Sequence, residues 1–236
     1  MIDYFETKSQ PINKVMVWKA YRKVRANKGG SGVDGMTWQE LDAHAGKYLY
    51  TLWNRLSSGS YFPQSVLRVA IPKKNGGVRE LGIPTLLDRI AQQVVKDQLE
   101  KQLEPLFHES SYGYRPGRSA HDAVAQSQRN CFNHDFAIDL DIQSYFDSID
   151  HELMLKALSH YCKDQWVLMY VRRWLKADIM REGKREARIK GTPQGGVISP
   201  LLSNLFLHVV FDGWMRKYHP EKPFERYADD IIVHCK

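Results

Sequence analysis

Two short acidic segments carry residue types and spacings that could do chemistry. Phe136-Ala137-Ile138-Asp139-Leu140-Asp141-Ile142 alternates strictly. As a strand it puts Asp139 and Asp141 on one face and Phe136, Ile138, Leu140 and Ile142 on the other. Asp is a poor strand former, so two on one face are costly unless a cation sits against them. Tyr227-Ala228-Asp229-Asp230 runs straight into Ile231-Ile232-Val233, which places more acids where the chain turns into a buried strand. Either segment alone could be an outer strand with solvated acids. Together they can bring carboxylates from two strands around hard divalent cations, which favour carboxylate, water and phosphate oxygens over an all-protein cage. A pair of such ions can activate a 3′-hydroxyl and stabilise a leaving pyrophosphate.

The elements that must position these acids are partly legible. Roughly the first 60 residues carry a helical pattern, broken by the glycine-rich run Lys28–Gly35. Thr37 is expected to cap the next helix, with Glu40 completing a capping box. From Val66 the period changes: Leu67, Val69 and Ile71 alternate, Lys73-Lys74-Asn75-Gly76-Gly77 makes a turn, and Arg79, Leu81 and Ile83 return. Asn-Gly between such runs predicts a hairpin with a basic tip. One long helix is expected over 86–106. The loop that follows, Ser110–Ser119, holds Tyr114, Arg115 and Arg118, types able to stack on bases or pair with phosphates.

Composition sets outer bounds. The chain has 236 residues, enough for one large domain or two lobes, with 43% hydrophobic and 26% charged residues. No run is apolar enough to cross a membrane, and the start lacks the pattern of a secretory signal. Cys131, Cys162 and Cys235 are far apart and odd in number, so reduced thiols in a cytoplasmic protein are expected. A net charge of +7 suits a polyanionic partner, since basic side chains release counterions from phosphates.

In consecutive blocks the chain resembles the reverse transcriptases of bacterial group II introns, the intron-encoded maturases. Ser31-Gly32-Val33-Asp34-Gly35 is similar to their N-terminal extension block. Ile71-Pro72-Lys73, Leu81-Gly82-Ile83-Pro84-Thr85 and Asp88-Arg89 resemble the fingers hairpin. Tyr112 through Ser119 with His121-Asp122-Ala123 resembles the second block, and Asp141-Ile142 with Phe146-Asp147 the first palm motif. Thr192-Pro193-Gln194-Gly195-Gly196 through Asn204 resembles the most diagnostic block, and Tyr227-Ala228-Asp229-Asp230 the active-site tetrad.

The resemblance implies an α+β fold: right-hand polymerase fingers, helix-rich with a β-hairpin, and an antiparallel palm sheet with packed helices. Fingers are expected over 1–105, a first palm part over 106–150, a helical insertion over 151–190 and a second palm part over 191–236. It implies RNA-directed DNA synthesis with two Mg²⁺ ions, Mn²⁺ substituting, on an RNA template and DNA primer with dNTPs, and binding to intron RNA. Asp141, Asp229 and Asp230 would be metal ligands and catalytic acids, with Ile142 beside Asp141 among the metal and nucleotide contacts. Asp139 matches no ligand position. Lys73 and Arg79 would clamp the triphosphate, and Gln194 and Gly195 would border the nucleotide pocket. Phe146, or its neighbour Tyr145 in another register, would exclude a ribose 2′-hydroxyl. Lys74, Tyr114, Arg115 and Arg118 would contact nucleic acid.

Rival readings are a palm-type nucleotidyl cyclase, a non-catalytic RNA-binding maturase scaffold, and a retron or phage-defence reverse transcriptase. The cyclase would carry a Gly-Gly-acidic-Glu-Phe signature where Tyr227-Ala228-Asp229-Asp230 stands. Lys236 follows the tetrad closely, so the primer grip, thumb and later domains are expected to be absent or supplied by a partner chain. The chain alone is then expected to extend primers poorly.

Overall fold

The computed structural model describes residues 3–72 and 76–236, Arg79 by its backbone only. The basic tip of the expected hairpin, Lys73 and Lys74, lies outside the described residues. The first helix, α1 (Lys14–Ala26), starts at Asn13, whose side chain accepts from the Met16 amide, and buries Val17, Ala20, Tyr21 and Val24 at helical spacing. Then come α2 (Trp38–Ala43) and α3 (Ala45–Ser58), the latter ended by Gly59 at φ 78°. Thr37 caps α2 as expected, but only half of the box forms, because the Glu40 carboxylate takes the Tyr48 hydroxyl instead.

Strands β1 (Val66–Pro72) and β2 (Val78–Ile83) form the expected hairpin, with Ile71 paired to Arg79. Helix α4 (Leu86–Leu103) follows a Thr85 cap. It stops before the expected 106: Pro105 has no N–H to donate, so Glu104–Leu106 tightens into a 3₁₀ turn. Leu86, Ile90, Leu99 and Leu103 are fully buried, making α4 the axis of the main core. Each such side chain contributes about 2 kcal/mol of transfer free energy.

The second half comprises α5 (Ala120–Cys131), β3 (Phe136–Asp141), α6 (Tyr145–Ser148), α7 (His151–Tyr161) and α8 (Gln165–Leu175). It continues through β4 (Ile179–Arg181), β5 (Lys184–Glu186), α9 (Ser199–Leu207), α10 (Gly213–Tyr218), β6 (Phe224–Tyr227) and β7 (Asp230–Cys235). Between α9 and α10 the helix widens into a π turn over His208–Asp212.

Two sheets result, in the orders β2-β1-β4-β5 and β3-β7-β6. The second is antiparallel throughout. In the first, β1 runs parallel to β4, with Val66 opposite Ile179, so the hairpin is rooted on a second, unexpected hairpin. The apolar face of β3 is open: Phe136, Ile138 and Leu140 are 67%, 47% and 38% exposed. No helix among the described residues is long and apolar enough to cross a membrane.

Candidate active site

Strands β6 and β7 are joined by the two residues Ala228 and Asp229, with Tyr227 paired to Asp230. Ala228 takes φ 59°, a positive value that tight two-residue hairpin turns call for and that Gly usually supplies. That tight turn throws Asp229 to the sheet end. There β3 delivers Asp141 directly opposite Asp230. The three acids are thus brought together by ladder register and one turn.

Asp141 and Asp229 line an open cleft of about 570 Å³, with Val78 and Glu80 of β2, Tyr114, Phe146 and Gln194 also on its wall. Burial, and then the charges of Asp229, Asp141 and Asp139, push the Asp230 carboxyl above its ordinary value. Asp139 therefore belongs to the acidic field without facing Asp230, since its ladder partner is Ile232. No three His, Cys, Asp or Glu side chains among the described residues close tightly enough to cage an ion. A mutually repelling acid set on an open cleft fits hard cations whose coordination is completed by water and phosphate oxygens.

Close backbone approach shapes the rest of the cleft. A Cβ on Gly195 would run into the Gly82 carbonyl, so β2 and the 192–196 turn touch main chain to main chain. A Cβ on Gly113 would likewise meet the Ala228 amide. Tyr114 (φ 57°) and Ser144 (φ 51°) join Ala228 in the left-handed region, so strained non-glycine backbone gathers around the acids. The Tyr114 ring lies 6.4 Å from that of Tyr227.

Tyr145 and Phe146 differ in freedom. The buried Tyr145 hydroxyl donates to the Ser203 carbonyl at 2.8 Å, and burial pushes its pKa well up. Phe146 has no polar tether, and its ring stands edge-on to Tyr145 at 5.6 Å. Gln194 reaches Asp147 at 3.5 Å. A neighbouring recess of about 300 Å³ shares Glu80, Asp147 and Gln194 with the cleft and adds Arg68, Arg188 and Lys190. Burial and the Arg68 charge lower the Arg188 guanidinium to about 10, and its buried Nη1 has no hydrogen-bond partner among the described residues.

One expected nucleic-acid contact is corrected. Arg115 is buried, with Nε and Nη2 on Glu104 Oε1 at 3.0 and 2.8 Å and Nη1 on the His108 and Ser111 carbonyls at 2.7 Å. Its guanidinium braces the loop and is spent there. Arg118 is half-buried, lies 5.3 Å over the Tyr112 ring and donates to the Glu109 carbonyl.

Sequence reasoning missed a buried set beneath the tetrad. Arg226, fully buried, meets both oxygens of the equally buried Asp212 at 2.8 Å and also touches Asn204 and the Ala228 carbonyl. Burial pushes the Asp212 carboxyl up, but His208 and Arg226 pull harder and hold it below the ordinary value. His208 Nδ1, at 3.8 Å, is beyond hydrogen-bonding reach, so the guanidinium carries the pairing.

Comparison with known proteins agrees with this geometry. The family model "Reverse transcriptase (RNA-dependent DNA polymerase)" matches residues 71–236. The group II intron-encoded protein LtrA of Lactococcus lactis subsp. cremoris is 35% identical over 190 residues, covering 80% of this chain and 32% of that protein. Protein YkfC of Escherichia coli (strain K12) is 38% identical over 206 residues, covering 84% of this chain and 54% of its own length. The chain thus spans about a third and about half of these two relatives. Among solved structures, a chain of a Cas6-RT-Cas1–Cas2 complex superposes with a TM-score of 0.58 at 22% identity, covering 94% of this chain and 23% of that one. Telomerase from Candida albicans gives 0.56 at 14% identity, covering 73% and 38%. These likenesses are of fold, that of the fingers and palm.

Proposed function

Since the chain belongs to the reverse transcriptase family, with group II intron-encoded proteins among its relatives, we propose that it carries the catalytic centre for RNA-templated addition of deoxynucleotides to a primer 3′-hydroxyl. The single observation that carries the reading is the convergence of Asp141, Asp229 and Asp230 at one sheet end beside an open cleft.

Asp141 and Asp229, with Asp230 alongside and Ile142 next to Asp141, would hold two divalent cations, Mg²⁺ or Mn²⁺. Such ions, when bound, lower the pKa of the attacking hydroxyl and neutralise charge on the transferred phosphate. The protein's own groups supply position. Gln194 and the Gly195 backbone would border the nucleotide, and the Phe146 ring, on the wall of the cleft, would pack under the sugar and exclude a 2′-hydroxyl. Lys73 and Arg79 of the β1–β2 hairpin would grip the triphosphate. Arg68, Arg188 and Lys190 line the adjoining recess together with Glu80, Asp147 and Glu186, and Arg68 is paired to Glu80 at 2.6 Å, so its cations are matched by acids. Template RNA, primer DNA and intron RNA are the proposed partners, and residues 1–105, with parts of 151–190, the proposed fingers.

The test is Mg²⁺-dependent extension of a DNA primer on an RNA template, with Asp229→Ala as the control. Template-dependent incorporation lost in the variant supports the reading. Incorporation surviving Asp229→Ala, or product made without a primer, overturns it.

A further inference from the structure

Arg226 occupies an unusual place for a cation. It sits in β6 three residues before Asp229, with no solvent exposure, where an unpaired guanidinium would be strongly destabilising. Each of its three nitrogens is bonded instead. Nε and Nη2 clasp Asp212 in a two-pronged pair at 2.8 Å, leaving Nη1 to donate to Asn204 Oδ1 at 3.0 Å and the Ala228 carbonyl at 3.1 Å. Asn204 in turn donates to the Gly113 carbonyl at 2.6 Å, and Gly113 is the glycine pressed against the Ala228 amide.

The fold goes to some length to deliver Asp212 there. The π turn over His208–Asp212 leaves Val209 and Val210 39% and 50% exposed while burying the acid, the reverse of the usual preference. π turns of this kind are frequent at functional sites. The residue all this restrains is Ala228, a non-glycine held at φ 59° next to Asp229. Left-handed backbone in such a residue is strained and persists only when its surroundings over-determine it.

We propose that Arg226 is a positioning residue for Asp229: clamped by Asp212 and Asn204, it holds the Ala228–Asp229 peptide in the strained turn that aims the carboxylate into the cleft. The inference rests on the active-site reading above. A guanidinium alone has the reach to grip the acid with one edge and the turn carbonyl with the other, so Lys cannot substitute fully.

The test measures Mn²⁺ binding by titration calorimetry and thermal unfolding of the metal-free protein, in parallel. Wild type is expected to bind Mn²⁺, and Asp229→Asn to lose that binding. Arg226→Lys is expected to lower affinity by about tenfold or more, the range seen when groups that orient metal ligands are lost. The double change Arg226→Met with Asp212→Leu replaces the buried pair by apolar groups, which proteins often tolerate. It should melt near wild type yet bind Mn²⁺ as weakly as Arg226→Lys. Adding Ala228→Gly, which removes the backbone strain, should restore part of the affinity lost in Arg226→Lys. Wild-type affinity in the well-folded double variant, or no recovery with Ala228→Gly, overturns the positioning role alone. Absence of Mn²⁺ binding in wild type overturns the active-site reading and this role with it.

Discussion

Asp141 and Asp230 are direct partners across the β3–β7 ladder, two acids at adjacent strand positions with Asp229 beside them in the turn. Like charges directly opposite in an antiparallel pair destabilise it by about 0.2–1 kcal/mol. The metal-free Asp230→Asn variant is therefore expected to be more stable than wild type by up to about 1 kcal/mol in urea unfolding. The same variant should gain less melting temperature on adding Mg²⁺. A metal-free variant less stable than wild type would show that the repulsion is already relieved within the protein.

The two neighbouring aromatics predict opposite phenotypes. Phe146→Val should reduce the preference for dNTP over NTP by about tenfold or more in primer extension, because a shape contact against a hydroxyl is lost. Tyr145→Phe forfeits the bond to the Ser203 carbonyl and should cost about 1–2 kcal/mol of stability with sugar preference intact. Relaxed sugar selection in Tyr145→Phe instead would transfer the gate to that residue.

Arg115 and Arg118 should separate in the same way. Arg115→Ala breaks a part-buried pair with Glu104 and leaves the His108 and Ser111 carbonyls without their donor, and is expected to cost about 2 kcal/mol in unfolding free energy. Its effect on the salt dependence of RNA binding should be small. Arg118→Ala is expected to leave stability within about 1 kcal/mol and to lower the salt slope of RNA binding by about one. Equal slopes for wild type and Arg118→Ala would remove Arg118 from the nucleic-acid surface.

Asp88 gives the fold a distinct pH response. It is buried and bonded to the Tyr61 hydroxyl, the Gln64 amide and Thr85, yet burial still raises its pKa from 3.8 to about 6. The folded state binds the proton more tightly than the unfolded chain, so this contribution to stability is complete below pH about 4 and lost as pH rises through about 6. The full swing is about 3 kcal/mol. The stability of Asp88→Asn relative to wild type should therefore rise between pH 4 and pH 7. A flat difference in urea unfolding across that window would contradict it.

Much of the site is legible because strand alternation has a period of two: it alone puts Asp139 and Asp141 on one face, and the tetrad places the other acids at a strand start. The β1–β2 hairpin is equally open to reading through its Asn-Gly turn. Other features leave no local trace. Strands β4 and β5 are three residues each, too short to carry a period, and the parallel link of β4 to β1 joins segments more than a hundred residues apart. Arg115 reads as a nucleic-acid contact and Arg226 goes unnoticed because only the tertiary fold supplies the acids that allow their burial. The π turn that brings Asp212 inward depends on what waits beneath the helix, which the run His208-Val209-Val210-Phe211-Asp212 does not encode by spacing. Alternation also assigned Phe136, Ile138 and Leu140 to one face of β3 without indicating that this face is open.

That open face sets how the polypeptide behaves among its own copies. Among the described strands β3 pairs with β7 alone, so it is an edge whose outer main-chain groups are unmatched, and its apolar side chains stand in water. Such an edge is a template for another chain's strand. Asp141, which lines the cleft, and Asp139 beside it on the same strand also act here as gatekeepers, placing negative charge along the exposed edge. Neutralising them for mechanistic study therefore removes a barrier to fibrillar or amorphous self-association. Colloidal state is accordingly coupled to Asp141, the acid that also lines the cleft.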